Sequence, residues 1–297
     1  MLNSSASTDR TISLSGGRTL GYREFGDPTG TPVLALHGTP GSRLKFADCD
    51  DVAAKLGLRL ISIDRWGYGL TSAHAQPTLA LFGDDMIALA DSIGAGRCLV
   101  TGVSGGGPFA VAAAAALQSR CMGLALISPV GIVDRATRLS PFHAVCFRVL
   151  PRLPGAIRLA FRLFRTTLRL APNSTMVLAL SRAPAIDRMA IFEAPIRHRL
   201  AKTFANGLAP GVSGPVIDMA LFTRDWGVDL DAITAPVRIW IGTADRNVPQ
   251  DGVRRLAMAI VATDLVTLPG EGHLWIARNS EDVLRWLACQ AGGIKSK

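Results

Sequence analysis

Leu99-Val100-Thr101-Gly102-Val103-Ser104-Gly105-Gly106-Gly107-Pro108 is an apolar run that breaks at a glycine-flanked serine and passes into the alanine-rich stretch Phe109 to Leu117. The pattern predicts a strand, a sharp turn carrying Ser104, and a helix, which is the layout of a nucleophile elbow. Such a turn needs Gly102 and Gly106 because it is tight and strained, and side chains on either side of the serine would collide. Held there beside a helix start, the Ser104 hydroxyl can meet a substrate carbonyl, and neighbouring N–H groups can meet the charge that develops. With 30 glycines among 297 residues, G-x-S-x-G is a modest signal by itself, and its surroundings must decide.

Downstream, two residue types that would complete the chemistry follow strand-like runs. Val237 to Ile241 ends in Gly242-Thr243-Ala244-Asp245, and Leu265 to Leu268 stops at Pro269-Gly270-Glu271-Gly272-His273, ahead of a helical pattern over Ser280 to Ala288. Serine, acid and histidine in that chain order, each after a strand, differ from the chymotrypsin and subtilisin orders. Ser104 alone would read as a surface serine in a glycine-rich turn, Asp245 as a helix N-cap, and His273 as a loop histidine. Together they read as nucleophile, acid and base, because His37, His74, His143 and His198 have no comparable strand-end setting after Asp245. Asp134, which follows Ser128-Pro129-Val130, is the alternative acid.

With these residues the chain resembles the α/β-hydrolase superfamily of the serine-nucleophile, esterase or lipase-like type. Val33-Leu34-Ala35-Leu36-His37-Gly38-Thr39-Pro40-Gly41-Ser42 resembles that family's strand and H-G-x-P oxyanion turn, and Ile61-Ser62-Ile63-Asp64-Arg65-Trp66-Gly67-Tyr68-Gly69 its D-x-x-G-x-G turn. The resemblance runs from about residue 19 to the C-terminus and skips 132–211. It implies an oxyanion hole formed by the backbone N–H groups of Thr39 and Gly105, with His37 and Gly38 shaping the turn and His37 serving as a turn residue, not as a proton carrier in the reaction.

Strand-like runs near 10–14, 19–25, 32–37, 59–63, 97–103, 122–128, 236–242 and 264–268 alternate, after the first two, with helical patterns. The expected fold is α/β: an α/β-hydrolase fold with a mostly parallel eight-stranded sheet, helices on both faces, and an antiparallel hairpin at one edge. Residues 1–131 and 212–297 would form the core, and 132–211 a helical cap rejoining it around Gly207 to Pro215. Ser104, Asp245, His273 and Thr39 would all lie beyond carboxyl ends of strands, where such sheets bind ligands.

The formal charge of +9 is concentrated in that 132–211 insertion, which holds thirteen basic residues against three acidic ones. Arg158, Arg162, Arg165 and Arg169 recur at helical spacing among Ile157, Leu159, Phe161, Leu163, Phe164, Leu168 and Leu170. The ridge is either a solvated face or a contact with anionic lipid or ligand. No recognition motif accompanies the charge, so nucleic acid is not an expected partner. The five cysteines, Cys49, Cys98, Cys121, Cys146 and Cys289, are scattered and odd in number, and read as buried thiols without a disulfide or zinc framework. No metal-ligand cluster and no phosphate-binding glycine loop is present, so no metal or cofactor is expected. The N-terminus lacks a basic-then-apolar signal pattern and no run is long enough to span a bilayer, giving a cytoplasmic expectation.

The implied activity is cofactor-independent hydrolysis of a small carboxylic ester, less readily an amide or thioester, with an apolar moiety. Serine at the elbow argues against the haloalkane dehalogenase and epoxide hydrolase branches, which use aspartate there. The same scaffold also serves cofactor-free dioxygenases, lyases, perhydrolases and small-molecule receptors, and these stand as alternatives. The sequence leaves the oligomeric state open.

Overall fold

Along the central strands, successive apolar side chains sort into two separate cores, as the period-2 geometry of a strand requires. In the computed structural model, which describes residues 8–261 and 263–292, Leu34 and Leu36 join one cluster while Val33 and Ala35 join the other. Leu124 and Leu126 are divided in the same way from Ala125 and Ile127. A sheet buried on both faces needs helices on both faces, and this sets the architecture.

The first half of the chain runs β1 (Asp9–Leu14), β2 (Arg18–Gly26), β3 (Thr31–Leu36), α1 (Asp50–Lys55), β4 (Leu58–Ile63), α2 (Leu79–Ser92), β5 (Cys98–Val103), α3 (Gly107–Leu117) and β6 (Cys121–Ile127). Six helices follow: α4 (Pro141–Ala144), α5 (Pro154–Leu170), α6 (Pro172–Ala179), α7 (Ala185–Phe192), α8 (Ala194–Gly207) and α9 (Ser213–Leu221). The chain then returns to the sheet with β7 (Val237–Gly242), α10 (Gln250–Ala259), β8 (Thr263–Leu268) and α11 (Ser280–Gln290). The eight strands form one sheet in the order β1-β2-β4-β3-β5-β6-β7-β8. β1 and β2 pair antiparallel at the edge, β2 meets β4 antiparallel, and the remaining pairs are parallel.

All eight strands expected from the sequence are present, with ends shifted by no more than one residue. α2, α3 and α10 cover one face, and α1 and α11 the other. The alanines of α3 let it approach α2 closely, so that a Cβ at Gly83 would lie 2.7 Å from the Ala116 methyl. Helices α5 to α8 share a smaller core of Leu168, Met176, Ile191, Ile196 and Leu200, against which Leu274 of the loop after β8 packs. Cys49, Cys98 and Cys121 are buried free thiols; Cys146 and Cys289, expected to be buried, are half-exposed. No helix among the described residues is long and apolar enough to cross a membrane.

Candidate active site

β5 ends at Val103, and the chain turns directly through Ser104, Gly105 and Gly106 into α3. Ser104 has φ +54°, a left-handed conformation that costs a non-glycine residue on the order of 1–3 kcal/mol and is held only when its surroundings enforce it. They do so through close packing: a Cβ at Gly102 would lie 2.6 Å from the Gly106 carbonyl oxygen, and one at Gly106 2.6 Å from those of Leu36 and His37. A side chain at Gly102 or Gly106 would therefore collide with the backbone packed around the turn.

The loops after β7 and β8 bring the other two residues to this turn. His273 Nε2 lies 3.0 Å from Ser104 Oγ, and His273 Nδ1 lies 2.8 Å from Asp245 Oδ2. The second oxygen of Asp245 accepts from Asn247 N at 2.8 Å, so the carboxylate is fixed by its own loop and faces the imidazole. Asp245 is 4% exposed. Burial would raise its carboxyl pKa, but attraction to His273 and hydrogen bonds from His273 and Asn247 outweigh burial and hold it below the ordinary carboxylate value. Burial likewise opposes protonation of His273, yet the Asp245 carboxylate and a contribution from Asp187 leave its pKa above that of a free imidazole.

Asp134 is not brought to the histidine. Its Oδ1 accepts from Ala136 N, Thr137 N and Thr137 Oγ1 within its own turn, and its Oδ2 pairs with Arg255 at the surface.

The turn after β3 lies against the elbow. A Cβ at Gly38 would be 3.2 Å from Ser104 Cβ, and one at Gly105 would be 2.1 Å from Thr39 Oγ1 and 2.9 Å from the Phe222 ring, so Thr39 and Gly105 are direct neighbours. His37 is fully buried; its Nδ1–H donates to Gly38 O at 2.7 Å, and Nε2 accepts from Arg65 N at 3.1 Å. That pairing is complete only for the neutral ring, and burial, with Arg65 nearby, pushes its pKa well below the imidazole value. His37 thus fixes the turn as a neutral imidazole with both ring nitrogens engaged.

Behind Thr39 lies a buried polar cluster that the sequence did not single out. Arg65 and Asp218, both fully buried, form a two-pronged ion pair. Tyr68 Oη and Thr39 Oγ1 each donate to Asp218 Oδ2 at 2.6 Å, and Arg65 also donates to the carbonyls of His37 and Gly38 at 3.1 and 3.0 Å. Arg65 and Tyr68 lie in a turn whose pattern was noticed for its glycines. Asp218, on α9, carried no local signal at all.

A second unanticipated residue is Asp187 of α7. It is 2% exposed, and its carboxylate accepts from the backbone N–H groups of His273 at 3.0 Å and Leu274 at 2.8 Å. A Cβ at Gly272 would fall 2.3 Å from that carboxylate, so the glycine before His273 is what lets α7 reach the loop. A cavity of about 960 Å³ opens beside Asp245, lined by Phe142, His143, Leu178 and Arg182 among others; neither Ser104 nor His273 lines it. Among the described residues no cluster of His, Cys, Asp or Glu could hold a metal ion.

Comparison with known proteins agrees with this geometry at the level of fold. Over 255 residues the chain is 25% identical to the AB hydrolase superfamily protein YisY of Bacillus subtilis, an alignment covering 82% of this chain and 85% of that protein. Its backbone superposes on epoxide hydrolase A of Mycobacterium thermoresistibile with TM-score 0.72 at 20% identity, covering 98% and 100% of the two chains. It superposes on a thermophilic esterase from Thermogutta terrifontis with TM-score 0.67 at 23% identity, covering 96% and 99%. At these identities the two structures bear on the fold alone. Residues 33–286, which include the turn at Ser104, the turn after β3 and both later loops, match the model of the alpha/beta hydrolase family, and the chain belongs to that family.

Proposed function

We propose that the protein is a cofactor-independent serine hydrolase that cleaves a carboxylic ester with an apolar acyl or alcohol part through an acyl-enzyme. The observation that carries this reading is the unbroken chain from Ser104 Oγ to His273 Nε2 and from His273 Nδ1 to Asp245 Oδ2, at 3.0 and 2.8 Å, with the serine on a strained turn. Ser104 Oγ attacks the ester carbonyl carbon while its proton passes to His273 Nε2. Asp245 keeps the proton of the neutral ring on Nδ1, leaving Nε2 free to accept, and then stabilises the imidazolium. The backbone N–H groups of Thr39 and Gly105 receive the oxyanion, where one donor is worth about 3 kcal/mol in the transition state. Collapse expels the alcohol, which takes the proton from His273. Water, deprotonated by the same histidine, then releases the acid and restores Ser104.

Residues 132–211 act in this reading as a helical cap over the strand ends, tied to the histidine loop through Asp187. The epoxide hydrolase to which the fold is similar marks the competing chemistry within the family. That chemistry requires a carboxylate nucleophile to form an alkyl ester, and position 104 is serine. A series of nitrophenyl esters of increasing acyl length tests the proposal. The wild type should turn them over and Ser104→Ala should be reduced by at least a hundredfold while remaining folded. Turnover that survives Ser104→Ala would overturn the assignment, and labelling of Ser104 without turnover would favour a receptor on the same scaffold.

A further inference from the structure

Helix α5 is apolar on two opposite sides, and packing against a single core explains only one of them. Ile157 and Leu168 are buried, with Phe161 and Phe164 half-buried on the same side. On the other side Leu159, Leu163 and Leu170 are 60%, 60% and 81% exposed. At 3.6 residues per turn these three leucines fall within roughly 40° of one another and form a single outward stripe. Arg158, Arg162 and Arg169 border the stripe along one edge; all three are exposed, and among the described residues none has an acidic partner. Arg165, which the sequence grouped with them, is turned away and donates to Ala209 O at 2.6 Å.

The acidic residues of the surrounding segment are already engaged. Asp187 is buried against the histidine loop, Glu193 pairs with Arg278, and Asp134 pairs with Arg255. α6, which packs against α5, also exposes Leu178, and elsewhere between β6 and β7 Phe142, Met189 and Phe192 are exposed.

We propose that this face of α5 docks on an anionic lipid bilayer, with the leucines at the acyl boundary and the three arginines on lipid phosphates. A bilayer surface supplies apolar depth and negative charge together, which is what a helix with an outward apolar stripe and a basic flank requires. Guanidinium groups suit phosphates because their planar donors engage two oxygens at once. A second copy of the chain pairing symmetrically through the same face would set these arginines against themselves. A nucleic acid would use the arginines and leave the leucine stripe in water.

Three leucines and three arginines make a weak, reversible and salt-sensitive attachment, each arginine contributing roughly fivefold in partitioning at low salt. The test is co-sedimentation of the full chain with phosphatidylglycerol-containing vesicles and with phosphatidylcholine vesicles. The wild type should sediment with the anionic vesicles in low salt and be released by high salt. The triple variant Arg158→Gln, Arg162→Gln, Arg169→Gln should bind about a hundredfold more weakly. Leu159→Ser, Leu163→Ser, Leu170→Ser should lose binding at every salt concentration. All these side chains are outside the catalytic groups, so melting temperature and hydrolysis of a short ester should match wild type. Absence of wild-type binding to anionic vesicles, or binding that both triple variants retain, overturns the proposal. A wild-type dimer in solution that the leucine variant converts to monomer, with no vesicle binding, would assign the face to a second copy.

Discussion

Around the strand ends Arg43, Asp64, Arg65 and Asp218 are buried and paired, whereas along α5 Arg158, Arg162 and Arg169 are exposed and, among the described residues, unpaired by any acid. Arg65 with Asp218 and Arg43 with Asp64 lie within the first region, each carboxylate taking several donors. In the second, arginines and leucines share a surface that faces solvent. The contrast separates two uses of charge. Buried pairs set geometry, because a misplaced or unpaired ion in a low-dielectric interior is costly; exposed charges contribute little to folding and are free to meet something else.

The largest effect should come from the acid. Asp245→Asn removes the charge that stabilises imidazolium and leaves an amide that favours the wrong tautomer, so kcat on a nitrophenyl ester should fall by roughly 10⁴ with the fold retained. A near-normal rate would detach Asp245 from the chemistry.

The next largest effect should be on stability. Asp218→Asn leaves Arg65 buried without a counter-ion and loosens Tyr68 and Thr39, which should cost about 3–5 kcal/mol and lower Tm by roughly 10 °C. The same change at an exposed pair, Glu281 with Arg285, should cost no more than about 0.5 kcal/mol. Equal losses in thermal melts of the two variants would dissolve the distinction between the regions.

A smaller effect joins the regions, because Asp187 belongs to α7 in the helical segment between β6 and β7 yet holds the histidine loop. In the wild type the His273 pKa is raised, so kcat/KM should climb with pH through a value above that of free imidazole as the base becomes neutral. Stability linked to the same proton is present at low pH and declines as pH rises through that raised value. Asp187→Asn removes one of the groups favouring the imidazolium and should move the acid limb of the profile to lower pH. An unmoved limb, with only kcat or Tm reduced, would make Asp187 merely structural. The smallest effect is expected on α5, where Leu163→Ser should change stability by less than about 0.5 kcal/mol because the leucine already faces water.

The same contrast explains what could be read from sequence. β5 and β7 are mostly apolar, β8 ends in the run Leu265 to Leu268, and each runs into a turn marked by glycine in which the elbow, Asp245 or His273 sits, so that local pattern and position coincide. Asp187 and Asp218 could not be found in that way. An aspartate on an amphipathic helix has the same neighbours in sequence whether it faces solvent or reaches a backbone more than 80 residues away, as Asp187 does with His273. Gly272, which admits Asp187, looked like an ordinary loop glycine. On α5 the helical period was legible, but which of its two apolar sides is covered depends on α6, α8 and α9, and periodicity alone does not rank them. Arg165 was grouped with the outward arginines because spacing gives angle around the helix and says nothing of Ala209, whose carbonyl it meets.

The central claim is that Ser104 is the nucleophile, and the most direct measurement is peptide mapping by mass spectrometry after reaction with an organophosphate nitrophenyl ester. The account predicts one stoichiometric phosphoryl adduct, on the peptide containing Ser104, formed in step with loss of esterase activity and greatly slowed by His273→Ala. Full esterase activity with Ser104 unmodified, or inactivation through an adduct on another residue, would contradict it.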